Sequence, residues 1–207
     1  MRTRTELAGL TIALALVAAA CGSSSAPAAQ KPSSGGPSST SAPRGVDPNA
    51  PEVVAPGDIP DTQAFVPYTT TGYSFKVPEG WSQSVAGATT TFSDHYNTVT
   101  STSASVAVAP TTTGVTATEV PTLRRAVPNF ELVKVSAITR PAGAGVLVTY
   151  RAGSAPDAVT GKRVAIDVER YEFWHNGLQV TLTLSGARGS DNVDPWKTIT
   201  DSFAWSA

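Results

Sequence analysis

Reactive side chains are scarce in this chain. Of 207 residues, one is cysteine and two are histidine. A lone cysteine excludes an intrachain disulfide. One thiol and two separate histidines do not supply the three or four ligands of a zinc site, so no metal and no cofactor are expected. Charge is thin as well: 15% of residues are charged and the formal net charge is -1. Nothing in that balance suggests a nucleic-acid partner. A phosphate-cradling loop is also missing, since "GARGSDN" lacks the strand before it and the Lys-Ser/Thr after it. The apolar run from Leu7 to Ala20 is shorter than the roughly 20 residues a spanning helix needs.

That run is informative in another way. Arg2 and Arg4 precede it, and the small residues Ala18, Ala19 and Ala20 close it directly before Cys21. A cationic lead, an apolar centre and small residues form a secretory signal. The segment Val17-Ala18-Ala19-Ala20-Cys21 resembles a bacterial lipobox, although Ala18 stands where leucine is commoner. The resemblance implies that the Cys21 thiol carries diacylglycerol and that cleavage makes Cys21 the new amino terminus. Residues 1–20 are then a signal peptide. Without Arg2, Arg4 and Glu6 the mature chain carries a net charge of about −2. Residues 21–62 are Ser, Pro, Gly and Ala with almost no large apolar side chain. Such a segment cannot bury enough surface to offset its ordering entropy, and it reads as a semi-flexible tether reaching roughly 35 Å. The expected location is the outer face of the cell membrane, with the lipid at Cys21 as the membrane contact.

Residues 63–207 read as one folded domain, enough for a single core. In "GYSFKVPEGW", Tyr73, Phe75 and Val77 alternate with polar residues, which predicts a half-buried strand. Trp81 reads as a core anchor. Further strands are expected near Thr90–Phe92, within Thr98–Ala109, in "FELVKVSAIT" and in "AGVLVTYRA". A short helix is expected in "TATEVPTLRRAVP", capped by Thr118 with Pro121 in its first turn. "KRVAIDVERYEFWHNGLQVTLTLSG" is a long hairpin turned by Asn176-Gly177. Its apolar parity shifts between Val168 and Tyr171. Either a bulge near Glu169–Arg170 restores one face, or Tyr171 and Phe173 lie on the opposite face under some cover. A final helix is expected with Asp194 as cap, Pro195 first, and Trp196, Ile199 and Phe203 on one face. The fold class is α+β, an antiparallel sheet with flanking helices.

"GYSFKVPEGW", "FSDHYNTV", the terminal hairpin and the close "DPWKTITDSF" resemble PsbP-like proteins over about residues 65–205. That group includes the extrinsic subunit of the oxygen-evolving complex, Ran-binding Mog proteins, and lipoproteins of the LpqN/LpqT type. The resemblance implies an antiparallel sheet flanked by helices, in a binding or assembly protein, not an enzyme. The Ran-binding surface does not carry over to an exported bacterial chain.

Candidate chemistry is sparse. Ser93, Asp94, His95 and Tyr96 are consecutive, and neighbours in a strand point to opposite faces, so adjacency alone makes no triad. Tyr171, Phe173 and Trp174 cluster near one hairpin end, either with two of them packed in the core or as an aromatic contact. With His175 at the hairpin tip, the partner-binding candidates are Tyr171, Trp174 and His175, since Trp and Tyr are common interface anchors. Arg188, between Gly186 and Gly189, is a candidate anion contact. The expected function is a membrane-anchored, non-catalytic binding or assembly module whose partner is an envelope protein or wall component. Two alternatives stay open: an envelope hydrolase with His95 as base, and an apolar-ligand carrier with a cavity of about 300 Å³ between the sheet and the last helix.

Overall fold

The computed structural model describes residues 57–157 and 160–206. The signal segment, Cys21 and most of the tether lie outside the described residues. Residues 57–62, read from sequence as the end of the tether, belong to the fold. Ile59 is buried, its amide donates to Asn192 Oδ1 at 2.8 Å, and the Gly57 carbonyl accepts from Asn97 and Asn192.

Two antiparallel sheets and two helices make up the described chain. The smaller sheet holds β1 (Phe65–Thr70), β2 (Tyr73–Pro78) and β10 (Ala204–Trp205), with β2 in the middle. The larger holds β3 (Ser82–Ala86), β4 (Thr89–Asp94), β5 (Asn97–Ser105), β6 (Glu131–Arg140), β7 (Gly143–Gly153), β8 (Ala165–His175) and β9 (Leu178–Ala187), in the order β3-β4-β5-β9-β8-β7-β6. Helix α1 is Thr112–Ala126 and α2 is Val193–Asp201.

The hairpin register settles the parity of β8. Pairing with β9 runs unbroken from Ile166↔Ala187 to His175↔Leu178, so no bulge interrupts Glu169–Arg170. Tyr171 and Phe173 therefore face away from Val168. Their side joins Val180, Leu182 and Leu184 with Tyr73, Phe75, Ile199 and Phe203 in one buried cluster. The cover that the opposite-face reading required is the small sheet and α2. On the other face Val146, Val148, Tyr150 and Val168 pack with Val115 and Val120 of α1. A bulge does occur in β6, between Leu132 and Lys134, and Val133 beside it is exposed.

Helix α1 is capped seven residues before the expected Thr118. Thr111 is its cap, accepting from the Gly114 amide at 3.1 Å, while the Thr118 hydroxyl bonds back to the Gly114 carbonyl. Pro121 lies inside the helix, where it removes one ladder bond at about 3 kcal/mol. Burial of Val115 and Val120, both on the N-terminal side of Pro121, works against that cost. Helix α2 starts at Val193, and Asn192, not Asp194, is the cap residue. The Asn192 side chain makes no cap bond, because Ile59, Gly57 and Asn97 occupy it.

Phe203 is the aromatic centre of the inner core. It is buried, stacks on Phe173 at 4.7 Å and meets Trp205 edge-on at 5.0 Å. Phe203→Ala is expected to cost about 3–5 kcal/mol, read as a lower urea midpoint at unchanged slope.

Candidate binding cavity

Strand alternation places Asp167, Glu169 and Tyr171 of β8 on one face. Ala187 at the end of β9, then Ser190 and Asn192, carry the chain round to α2, whose Val193, Trp196 and Lys197 form a facing wall. Arg140 arrives from the end of β6. Together these residues line a cavity of about 310 Å³ that is open to solvent on one side.

Tyr171, Glu169, Arg140 and, through Asp201, Lys197 form one network. The Tyr171 ring is buried, and its hydroxyl donates to Glu169 Oε2 at 2.5 Å. Arg140 Nη2 donates to the same hydroxyl at 3.4 Å, and the guanidinium lies 5.5 Å from the ring centre. Arg140 Nε donates to Thr200 at 3.2 Å and pairs with Asp201 at 3.4 Å. Lys197 pairs with Asp201 one turn away. Burial, then the bond to Glu169, pushes the Tyr171 hydroxyl well above the usual phenol range, with Arg140 opposing. The hydroxyl thus stays a proton donor at any physiological pH. Ser190 Oγ is buried without a hydrogen-bond partner. The volume and place match the apolar-carrier expectation, and the cavity is lined by four charged side chains as well as by Ala187, Val193 and Trp196.

A second polar cluster lies on the opposite face of β8. Glu172 is fully buried. Its Oε1 is 3.4 Å from Arg170 Nε, and Gln179 donates to its Oε2 at 3.4 Å. Arg170 reaches across to Glu119 of α1 at 2.9 Å. Burial first, then the Glu119 charge, raises the Glu172 carboxyl to about 7, with Arg170 opposing. Sequence reading passed over this residue; the signal is a glutamate between two core aromatics in "RYEFW".

The other candidates do not converge. Trp174 faces opposite to Tyr171 and donates its indole N–H to the Val106 carbonyl at 2.7 Å. His175 is exposed and stacks on Trp205. Tyr171, Trp174 and His175 therefore do not form one surface. His95 sits in a turn with φ of 49°, and its side chain is 82% exposed. Its Nδ1 meets Asp94 Oδ1 at 2.8 Å, so a carboxylate is present. His95 and Tyr96 line a cleft of about 430 Å³ with Ser154 and Asp157. Ser93 belongs to β4 and pairs with Thr98. Arg188 is exposed and lies 3.8 Å from Asp167. Among the described residues no three metal-ligating side chains group together, and no helix is long and apolar enough to cross a membrane.

No known family profile matches the chain, and no curated protein matches it. Solved structures do. The solution structure of cyanobacterial PsbP from Synechocystis sp. PCC 6803 matches with a TM-score of 0.53 and 22% identity, over 70% of this chain and 94% of that one. The fold is PsbP-like. Within that PsbP-like frame the sheet is antiparallel and the helices flank it, as the residues implied. Two further structures are more distant. A Pseudomonas aeruginosa protein of unknown function has a TM-score of 0.41 at 15% identity, over 64% of this chain and 91% of that one. A Bacteroides thetaiotaomicron protein has a TM-score of 0.43 at 8% identity, over 68% and 48% respectively.

Proposed function

We propose that this chain is a lipid-anchored, extracytoplasmic binding module. It carries a PsbP-like domain that holds a ligand without transforming it. The observation that carries the reading is the cavity between β8 and α2, a formed site of ligand-binding size with polar groups on an aromatic wall. Cys21 supplies the anchor, and the Ser/Pro/Gly-rich segment after it spaces the domain from the membrane. The ligand or partner belongs to the cell envelope. At the competing site, His95 and Asp94 form an exposed pair, where water screens the charges that catalysis would use.

Amide chemical-shift mapping of the full chain with the small-molecule fraction of an envelope extract tests this. The expected result is saturable shifts in residues 187–197 and in Glu169–Tyr171, with the added compounds recovered unchanged. Shifts centred on His95 and Tyr96, with consumption of a compound, would support the hydrolase instead.

A further inference from the structure

We infer that the cavity between β8 and α2 binds a small zwitterion of the α-amino-acid type, an inference that rests on reading this cavity as the ligand site. The cavity brings both signs of charge together. Strand β8 contributes the acids Asp167 and Glu169, the end of β6 contributes Arg140 and α2 contributes Lys197; Asp167 also meets Arg151 and Arg188. A ligand carrying only an anion meets the two carboxylates, and one carrying only a cation meets the guanidinium and the ammonium. Like-charge contact disfavours each.

The Tyr171 hydroxyl sets the spacing. It bonds Glu169 on one side and Arg140 on the other, so the two opposite charges stand within two hydrogen bonds of each other. An α-amino acid presents its ammonium and carboxylate at similarly short separation. Each protein group also keeps one position for a ligand. Glu169 Oε2 takes the Tyr171 hydroxyl, and among the described residues no cation pairs with Glu169. Arg140 engages Nε and Nη2, which leaves Nη1. The buried Ser190 hydroxyl adds a further unengaged group beside the cavity. Trp196, Val193 and Ala187 provide an apolar surface for a side chain.

A matched series tests the inference by the same amide mapping on the full chain. L-leucine carries both charges, isopentylamine lacks the carboxylate, and 4-methylpentanoate lacks the ammonium. Leucine is expected to shift residues 190–197 saturably, with each analogue binding more than about fivefold more weakly. Glu169→Gln keeps an acceptor for Tyr171 and removes the charge. It should weaken leucine more than about fivefold and leave 4-methylpentanoate no weaker. An analogue within about fivefold of leucine, or no saturable shift with leucine, overturns the zwitterion class. If the envelope extract shifts these residues and leucine does not, the ligand class falls and the cavity remains the binding site. If neither does, both fall.

Discussion

Cys21→Ser is expected to empty the membrane fraction of this protein. The wild type should sediment with membranes, and the variant should appear as soluble protein or as unprocessed precursor. The argument begins with the thiol. On the proposed reading, the segment that resembles a lipobox has its diacylglyceryl group joined through the Cys21 sulfur, and a serine hydroxyl does not take that thioether. Membrane affinity then follows the acyl count. Each buried CH₂ contributes about 0.8 kcal/mol, one chain gives only marginal binding, and two give stable anchoring. Diacylglycerol brings both at once, so its loss removes anchoring altogether. Among the described residues no helix substitutes for it. Fractionation followed by immunoblotting reads the outcome, and the folded domain should be unchanged by circular dichroism.

The second large effect concerns Glu172. Its carboxyl has an ordinary value of 4.5 and is raised to about 7 in the folded chain. The native state therefore holds this proton more tightly than the unfolded state. The contribution to stability is fully present below the unfolded value and is lost as pH rises through the folded one. Between pH 5 and 8 the wild type should lose about 2–3 kcal/mol from this group. The physical cause is a fully buried carboxylate that shares the Arg170 guanidinium with Glu119. Glu172→Gln keeps the shape and removes the titration. It should be more stable than wild type by about 2 kcal/mol at pH 8 and nearly equal to it at pH 5. Urea unfolding of both proteins across that range checks the sign, because their difference isolates this group.

Much of the fold was legible because alternation and turn chemistry agree. The long hairpin shows both, with Val180, Leu182 and Leu184 on β9 and Asn176-Gly177 at the turn, and β8 pairs with β9 as read. Trp196, Ile199 and Phe203 likewise mark the buried face of the closing helix, with Phe203 just beyond its end. Strand β3 was not legible. "SQSVA" is exposed throughout, so no apolar period marks it, and only pairing with β4 makes it a strand. Strand β1 was obscured by Pro67, which an edge strand tolerates. The start of α1 was misplaced because local proline chemistry suggested a first turn, whereas burial of Val115 extends the helix past it.

The site was less legible than the fold. Arg140, Glu169, Ser190 and Lys197 come from four separate segments, and no local spacing relates them. Tyr171 did stand out in the sequence, as one of the partner-binding candidates with Trp174 and His175. It lines the cavity, apart from Trp174, because the unbroken register turns the two to opposite faces.

Intact-mass measurement of the protein recovered from membranes tests the central claim, that a PsbP-like domain is carried at the membrane by a lipid on Cys21. The predicted mass is that of a chain beginning at Cys21 and bearing diacylglycerol on its sulfur, with or without a further acyl group on its amine. An unlipidated mass, or a mature chain that begins at any other residue, would contradict it.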